Sequence, residues 1–307
     1  MKAIICTKYG LPEVLQLQDV EKPNPKHNEV LIRIMATSVT TSDCIVRSGK
    51  ASFPYWILMR FALGFIRPRQ PILGQVLSGS IEGIGKDVAD FQIGDAVFAH
   101  TFMEFGAYAE YICLPSTSAF TNIPENCTFE EAASIPYGGT LAFFFLQKAM
   151  IKKGQNVLIY GASGAVGTSA VQIARNYGAS VDGVCSSANF ELVKDLGVDL
   201  IFDYTSKDFR LEDGKYDLIF DAVGKKKSKG FKYKNALKLK GKFLSVDSSN
   251  PGKKAVCKEN LSILKDLVEA KKFKPVIDRT YSMNQIVQAH RYVDKGHKKG
   301  NVIIRIQ

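Results

Sequence analysis

The chain has 307 residues, 46% of them hydrophobic and 23% charged, and a formal net charge of +11. That apolar share supplies a sizeable core, which excludes an intrinsically disordered chain, and the length suits about two domains. The positive excess keeps phosphate-bearing ligands, nucleic acid and anionic membranes in view as partners.

The chain opens with a short apolar run that has no small-residue cleavage site, so no secretory signal is expected. Strand-like alternation covers residues 2–7 and 29–37, with the turn-prone Lys22-Pro23-Asn24-Pro25 between them. Residues 53–66 are the most lipid-like stretch, yet they contain Arg60 and fall short of the ~20 residues a membrane-spanning helix needs. They read as an apolar wall for a hydrophobic substrate, as a core helix, or as a face resting on lipid helped by Arg60, Arg67 and Arg69. Further strands are expected at 76–84, 96–99 and 107–114.

Beyond Asn122-Ile123-Pro124 the pattern turns helical. Thr128 with Glu131 three residues on is a capping-box signature, and a second helix follows over 140–150. Strands at 156–160, 181–185, 199–202, 216–220 and 241–246 then alternate with helices at 165–177 and 188–196. That rhythm predicts parallel βαβ units with both sheet faces covered. Residues 225–242 hold nine lysines and no acid. Interleaved with Phe231, Ala236, Leu237 and Leu239, they look like a helix with one buried stripe and a solvated lysine face. After an amphipathic helix at 259–271 come strand 275–278, helix 283–295 and strand 301–306, without the βαβ rhythm. The expected organisation is therefore a β-rich substrate domain, 1–122 and 273–307, around a doubly wound dinucleotide-binding domain, 123–272.

The chemistry concentrates at Gly161-Ala162-Ser163-Gly164-Ala165-Val166-Gly167, where an apolar strand enters a glycine-rich turn and a helix opens behind it. Set on the dinucleotide fingerprint, Gly164 lets the backbone approach a pyrophosphate and Gly167 lets the helix pack on the strand. The second strand ends at Cys185-Ser186-Ser187-Ala188-Asn189, with no acid to hold a ribose 2′-OH; Asp182 lies too far back along the strand. A 2′-phosphate held by Ser186, Ser187 and Asn189, with Lys194 adding charge, favours NADP(H) over NAD(H). The alternative is that these polar residues only cap the following helix.

Across nearly its whole length the chain resembles the medium-chain dehydrogenase/reductase superfamily, on its zinc-free quinone-oxidoreductase-like branch. The resemblance rests on Met1-Lys2-Ala3-Ile4, Pro71-Ile72-Leu73-Gly74, Gly94-Asp95-Ala96-Val97-Phe98, Gly106-Ala107-Tyr108-Ala109-Glu110-Tyr111, the glycine turn, Asp203-Tyr204 and Asp221-Ala222-Val223-Gly224. It implies a GroES-like catalytic domain beside a Rossmann domain, and a homodimer. It also implies that Tyr204 lies against adenosine, with Thr140, Ala222, Val223, Val246 and Ser248 toward the nicotinamide. Zinc-bearing relatives carry Gly-His-Glu where this chain has Gly74-Gln75-Val76; glutamine is a poor zinc ligand and valine none, so no metal is expected. Without a Lewis acid, reduction of a quinone or an α,β-unsaturated carbonyl, a small hydrophobic substrate, is the expected reaction. Thr40 and Asp43 are candidates facing the nicotinamide, or turn residues, and Tyr137 is a candidate proton donor, or a core tyrosine.

The scattered cysteines, Cys6, Cys44, Cys113, Cys127, Cys185 and Cys257, read as reduced thiols in a cytoplasmic protein. Two other functions are weighed against this one: an NAD(P)-dependent alcohol or aldehyde oxidoreductase, and a basic nucleic-acid-binding protein with a vestigial cofactor site. No nucleic-acid module accompanies the lysine run, so nucleic acid is the disfavoured partner.

Overall fold

The computed structural model describes residues 1–50, 55–224, 228, 231–247 and 252–306. In chain order it begins with β1 (Lys2–Cys6), β2 (Leu15–Asp19), β3 (Glu29–Val39), α1 (Thr41–Ser48), α2 (Tyr55–Leu63) and β4 (Val76–Ile84). Then come β5 (Ala96–His100), β6 (Tyr111–Pro115), β7 (Phe120–Asn122), α3 (Phe129–Ser134) and α4 (Pro136–Ala149). The alternating part holds β8 (Asn156–Tyr160), α5 (Ala165–Asn176), β9 (Ser180–Cys185), α6 (Phe190–Asp195), β10 (Ile201–Asp203), β11 (Tyr216–Asp221) and β12 (Leu237–Ser245). The last elements are α7 (Gly252–Ala255), α8 (Lys258–Glu269), β13 (Ile277–Ser282), α9 (Ile286–Asp294) and β14 (Asn301–Arg305). Among the described residues no helix is long and apolar enough to cross a membrane.

The chain divides into two compact units. The first comprises Met1–Pro136, Val256–Lys265 and Ile277–Gln307; the second comprises Tyr137–Ala255 and Asp266–Val276. In the first, a mixed sheet runs β13-β14-β3-β4-β5-β7, with β6 also on β3 and a separate β1-β2 hairpin. The late strand β14 enters beside the early one, Val302 opposite Val39. Alternation decides which side chains go inward: Val30, Ile32 and Ile34 of β3 are fully buried with Leu77, Val97 and Phe120.

The second unit is a five-stranded parallel sheet in the order β10-β9-β8-β11-β12. The expected two-part α/β architecture is borne out. Chain order runs outward from β8 to one side and then restarts at β11 on its other side. The strand order therefore reverses between β8 and β11, where Tyr160 pairs with Asp221.

One expected element differs. Residues 225–242 do not form a helix with a buried stripe: among the described residues, 231–236 form a turn and 237–245 pair with β11. Leu239, placed in that stripe, is fully exposed. The run Leu-Lys-Leu-Lys-Gly-Lys-Phe-Leu also alternates with period two, and an unpaired edge at β11 selects that reading. Lys225, Lys226, Lys227 and Lys229 lie outside the described residues. Lys232, Lys234, Lys238, Lys240 and Lys242 are exposed, as a solvated face requires. The aromatics of this segment cover one side of the sheet instead. Phe231 stacks on Tyr160 at 4.3 Å between ring centroids and Tyr233 on Phe243 at 3.8 Å.

Candidate active site

At the strand reversal, β8 runs into the glycine turn. Gly161 has φ +81°, and a Cβ there would strike the Val223 side chain. A Cβ on Gly167 would run into the Gly161 carbonyl oxygen, so this glycine sets how closely α5 packs on β8. Gly164 has a different reason. As N-cap of α5 it has an ordinary extended conformation and gives the helix no side-chain cap. Its missing Cβ faces open space, with only the Gly161 oxygen 3.6 Å away. The first turn of a helix has no preceding carbonyls for its amides, so those of Ala165, Val166 and Gly167 present an anion site with the positive end of the helix dipole behind them.

The second strand ends beside this turn. Asn189 Nδ2 donates to Ser163 Oγ at 3.0 Å and to Ser186 Oγ at 3.3 Å, which ties the glycine turn to the end of β9. Lys194 stands in the last turn of α6, ~7 Å further along the helix axis from Asn189, and those hydrogen bonds do not reach it. Asp182 stays mid-strand, accepting from Tyr216 Oη and Leu200 N and pairing with Lys215.

Sequence reasoning looked for an acid only on β9 and missed Asp203, which the parallel register sets opposite Cys185. Hydrogen bonds from the Thr205 hydroxyl and amide, and from Ser187, hold its carboxyl below the usual range. Tyr204 follows, 45% exposed, its ring 6.3 Å from Tyr160. Both line a cleft of about 970 Å³ with Phe209, Arg210, Phe231 and Lys234.

Past β11, Asp221 belongs to a stretch that carries the resemblance, but sequence reasoning assigned it no role of its own. It is fully buried, and its Oδ1 accepts from the amides of Val223 and Gly224, each at 3.1 Å. Its Oδ2 accepts from Ser228 Oγ and Ser245 Oγ. One carboxylate therefore fixes the Ala222-Val223 turn and the end of β12, which leads into Val246; Ser248 lies outside the described residues. Thr140 is buried in α4, three residues from the half-buried Tyr137 and on the same face. A Cβ on Gly138 would meet the Ala165 carbonyl, so α4 crosses close to the start of α5.

In the first unit, Thr40 and Asp43 form the capping box of α1. Asp43 N donates to Thr40 Oγ1 at 3.1 Å, while Thr40 N and Thr40 Oγ1 donate to Asp43 Oδ2 at 2.9 and 2.7 Å. Burial pushes the Asp43 carboxyl up to about 6, against these hydrogen bonds. Behind it, Cys44 Sγ lies 3.4 Å from His290 Nδ1 on α9, and Arg47 pairs with Asp294 at 2.8 Å. Burial lowers His290 to about 3, so it is neutral, and raises the Cys44 thiol. Gln75, at the position of the zinc-binding histidine, donates its amide to the Phe102 carbonyl at 2.9 Å. Among the described residues no group of three or more His, Cys, Asp or Glu is arranged to hold a metal ion.

Comparison with known proteins finds relatives along nearly the whole chain. Residues 26–125 match the model of the alcohol dehydrogenase GroES-like domain, and residues 196–304 match a family model described as zinc-binding dehydrogenase. The chain is 31% identical to the 2-methylene-furan-3-one reductase of Solanum lycopersicum, over 99% of this chain and 79% of that protein. It is 29% identical, over the same shares, to the chloroplastic NADPH-dependent alkenal/one oxidoreductase of Arabidopsis thaliana. Among solved structures, the quinone oxidoreductase of Coxiella burnetii superposes with a TM-score of 0.86 at 28% identity, covering 100% of this chain and 99% of that one.

Proposed function

Since the chain belongs to the medium-chain dehydrogenase/reductase superfamily, on its quinone-oxidoreductase-like branch, we propose that it is a zinc-independent, NADPH-dependent enzyme reducing a quinone or an α,β-unsaturated carbonyl. The observation that carries this reading is the uncapped start of α5, where Gly164 leaves room for a pyrophosphate beside open amides. When bound there, the nicotinamide cofactor supplies the hydride.

The chain's own residues then bind and orient. Gly161, Ala162 and Ser163 shape the turn, and the amides of Ala165, Val166 and Gly167 hold the pyrophosphate. Ser163, Ser186 and Asn189, already joined by hydrogen bonds, take the ribose and its 2′-phosphate. Ser187 stands beside them and Lys194 adds charge at longer range. Tyr204 and its cleft receive the adenosine side. Thr140, Ala222, Val223 and Val246 line the nicotinamide side, with Asp221 holding the turn. Thr40 meets the substrate, and the buried Asp43 is its positioning residue. Tyr137 delivers the proton that completes reduction. An acceptor that delocalises negative charge needs orientation and that proton but no Lewis acid, which agrees with an amide at Gln75. A cytoplasmic homodimer completes the reading. It is supported by six free thiols and the family resemblance, and sedimentation velocity tests the dimer.

Titration with NADPH and NADH, followed by nicotinamide fluorescence, tests this directly. NADPH is expected to bind more tightly, and Ser187→Asp to weaken NADPH roughly tenfold or more while sparing NADH. Cofactor consumption is expected with a quinone or enone acceptor. Failure of both nucleotides to bind overturns the proposal.

A further inference from the structure

Large apolar side chains point outward at one place in the first unit. Ile57, Phe61, Phe65 and Ile66 are 38%, 60%, 55% and 84% exposed. On α2, Ile57 and Phe61 are one turn apart on the outer face, while Leu63 turns into the core. Phe65 continues the stripe, edge-on to Phe61 at 4.9 Å.

This presentation is held in place. Tyr9 Oη donates to the Gly64 carbonyl at 2.8 Å, and Arg60 lies over the Tyr9 ring at 3.8 Å. Arg60 Nη1 donates to the Phe65 carbonyl at 2.7 Å, and Arg69 N to the Leu63 carbonyl at 2.6 Å. With three hydrogen bonds to backbone carbonyls fixing this turn, the outward side chains belong to a defined surface.

Charge says what that surface fits. From Cys44 through Ile81 the sequence contains no acid but carries Arg47, Lys50, Arg60, Arg67 and Arg69. Arg67 and Arg69, directly after the apolar stripe, are exposed. Apolar side chains rimmed by cations suit the boundary between acyl chains and anionic headgroups. A two-fold contact with a second copy would set this arginine pair against its own image, like charge on like.

We propose that the surface formed by Ile57, Phe61, Phe65 and Ile66 with Arg67 and Arg69 docks the protein peripherally on an anionic lipid bilayer. The apolar side chains enter the interface and the arginines meet headgroup phosphates, with no segment crossing.

Co-sedimentation of the full chain with phosphatidylcholine vesicles, and with vesicles that also contain phosphatidylglycerol, tests this. Binding is expected to the mixed vesicles only, weakening as salt rises. Ile66→Asp should lower the partition coefficient roughly tenfold, from the loss of one buried aliphatic side chain. Arg67→Glu and Arg69→Glu should each lower it at least about fivefold. Thermal melting and NADPH titration of the same variants, both expected to be unchanged, separate this test from folding and from the cofactor reading. Absence of binding to mixed vesicles, or equal binding by all variants, overturns the proposal. So does a vesicle-independent self-association abolished by Ile66→Asp.

Discussion

Two turns in this molecule do the same geometric work, taking a strand into a helix, and they treat the helix N-terminus in opposite ways. At Thr40, β3 enters α1 through a closed capping box, and the start of the helix is satisfied by side chains of its own turn. At Gly164, β8 enters α5 through a glycine with no side chain to offer. A capped N-terminus stabilises a fold, typically by ~1 kcal/mol. An uncapped one forgoes that stabilisation and keeps its amides for an anion. The contrast separates a helix start closed by its own side chains from one left open, without reference to which residues are polar. Thr40 and Asp43 hydrogen-bond each other, whereas Gly164 has no functional group and leaves open space before the helix.

Substitutions can break this contrast, and the largest effect is expected where backbone meets backbone. Gly167→Val forces a side chain against the Gly161 carbonyl and should cost about 3 kcal/mol of stability, read by urea unfolding. NADPH affinity should fall with it. An unchanged midpoint would mean that α5 can move away from β8.

Next comes the buried carboxyl. Because burial raises Asp43 from its unfolded value of 3.8 to about 6, its protonated form is favoured in the folded state. The stabilisation is fully present below pH 4 and is lost as pH rises through 6, by roughly 1.4 kcal/mol for each pH unit between the two values. Relative to Asp43→Asn, the wild type should therefore lose stability between pH 4 and 6 and run parallel above that. Parallel curves throughout would show that the carboxyl is not desolvated.

Thr40→Ala removes the cap and should cost about 1–2 kcal/mol. Rescue by Thr40→Ser would assign the loss to the hydroxyl. The smallest stability effect is the most informative. Gly164→Ala has room and ordinary backbone angles, so its melting should stay within about 0.5 kcal/mol of wild type. Its NADPH affinity should nonetheless drop roughly tenfold or more, because the new methyl occupies the approach to the amides. Normal affinity would place the pyrophosphate elsewhere.

What the sequence made legible was whatever is local. The glycine turn is a contiguous motif with its strand and helix on either side, and the Thr128–Glu131 cap is a four-residue signature. The Thr40–Asp43 box has the same spacing, with Asp at its third helical position. The lysine run fits two periodicities, and only the open edge of β11 decides between them. β7 carries only three residues, too few for alternation to stand out. The roles of Asp203 and Asp221 were illegible for another reason: their partners, Ser187, Ser228 and Ser245, come within reach only through strand register and chain reversal. The outward face of α2 has the same status, since an apolar run does not announce which of its sides finds a core.

The contact between Cys44 and His290, 246 residues apart, and the strand pairing of β14 with β3 bear on how this protein is made. At ribosomal speeds of about 5–20 residues per second, roughly ten to fifty seconds separate the emergence of the two partners. Through that interval the seam of β3 that β14 will fill is an open sheet edge, the kind of surface that recruits other chains. The parallel sheet of the second unit lies wholly within residues 156–245 and needs none of those late residues. During synthesis this parallel sheet can therefore fold ahead of the sheet whose early half is translated first, and holdase chaperones would be expected to engage the waiting β3 edge.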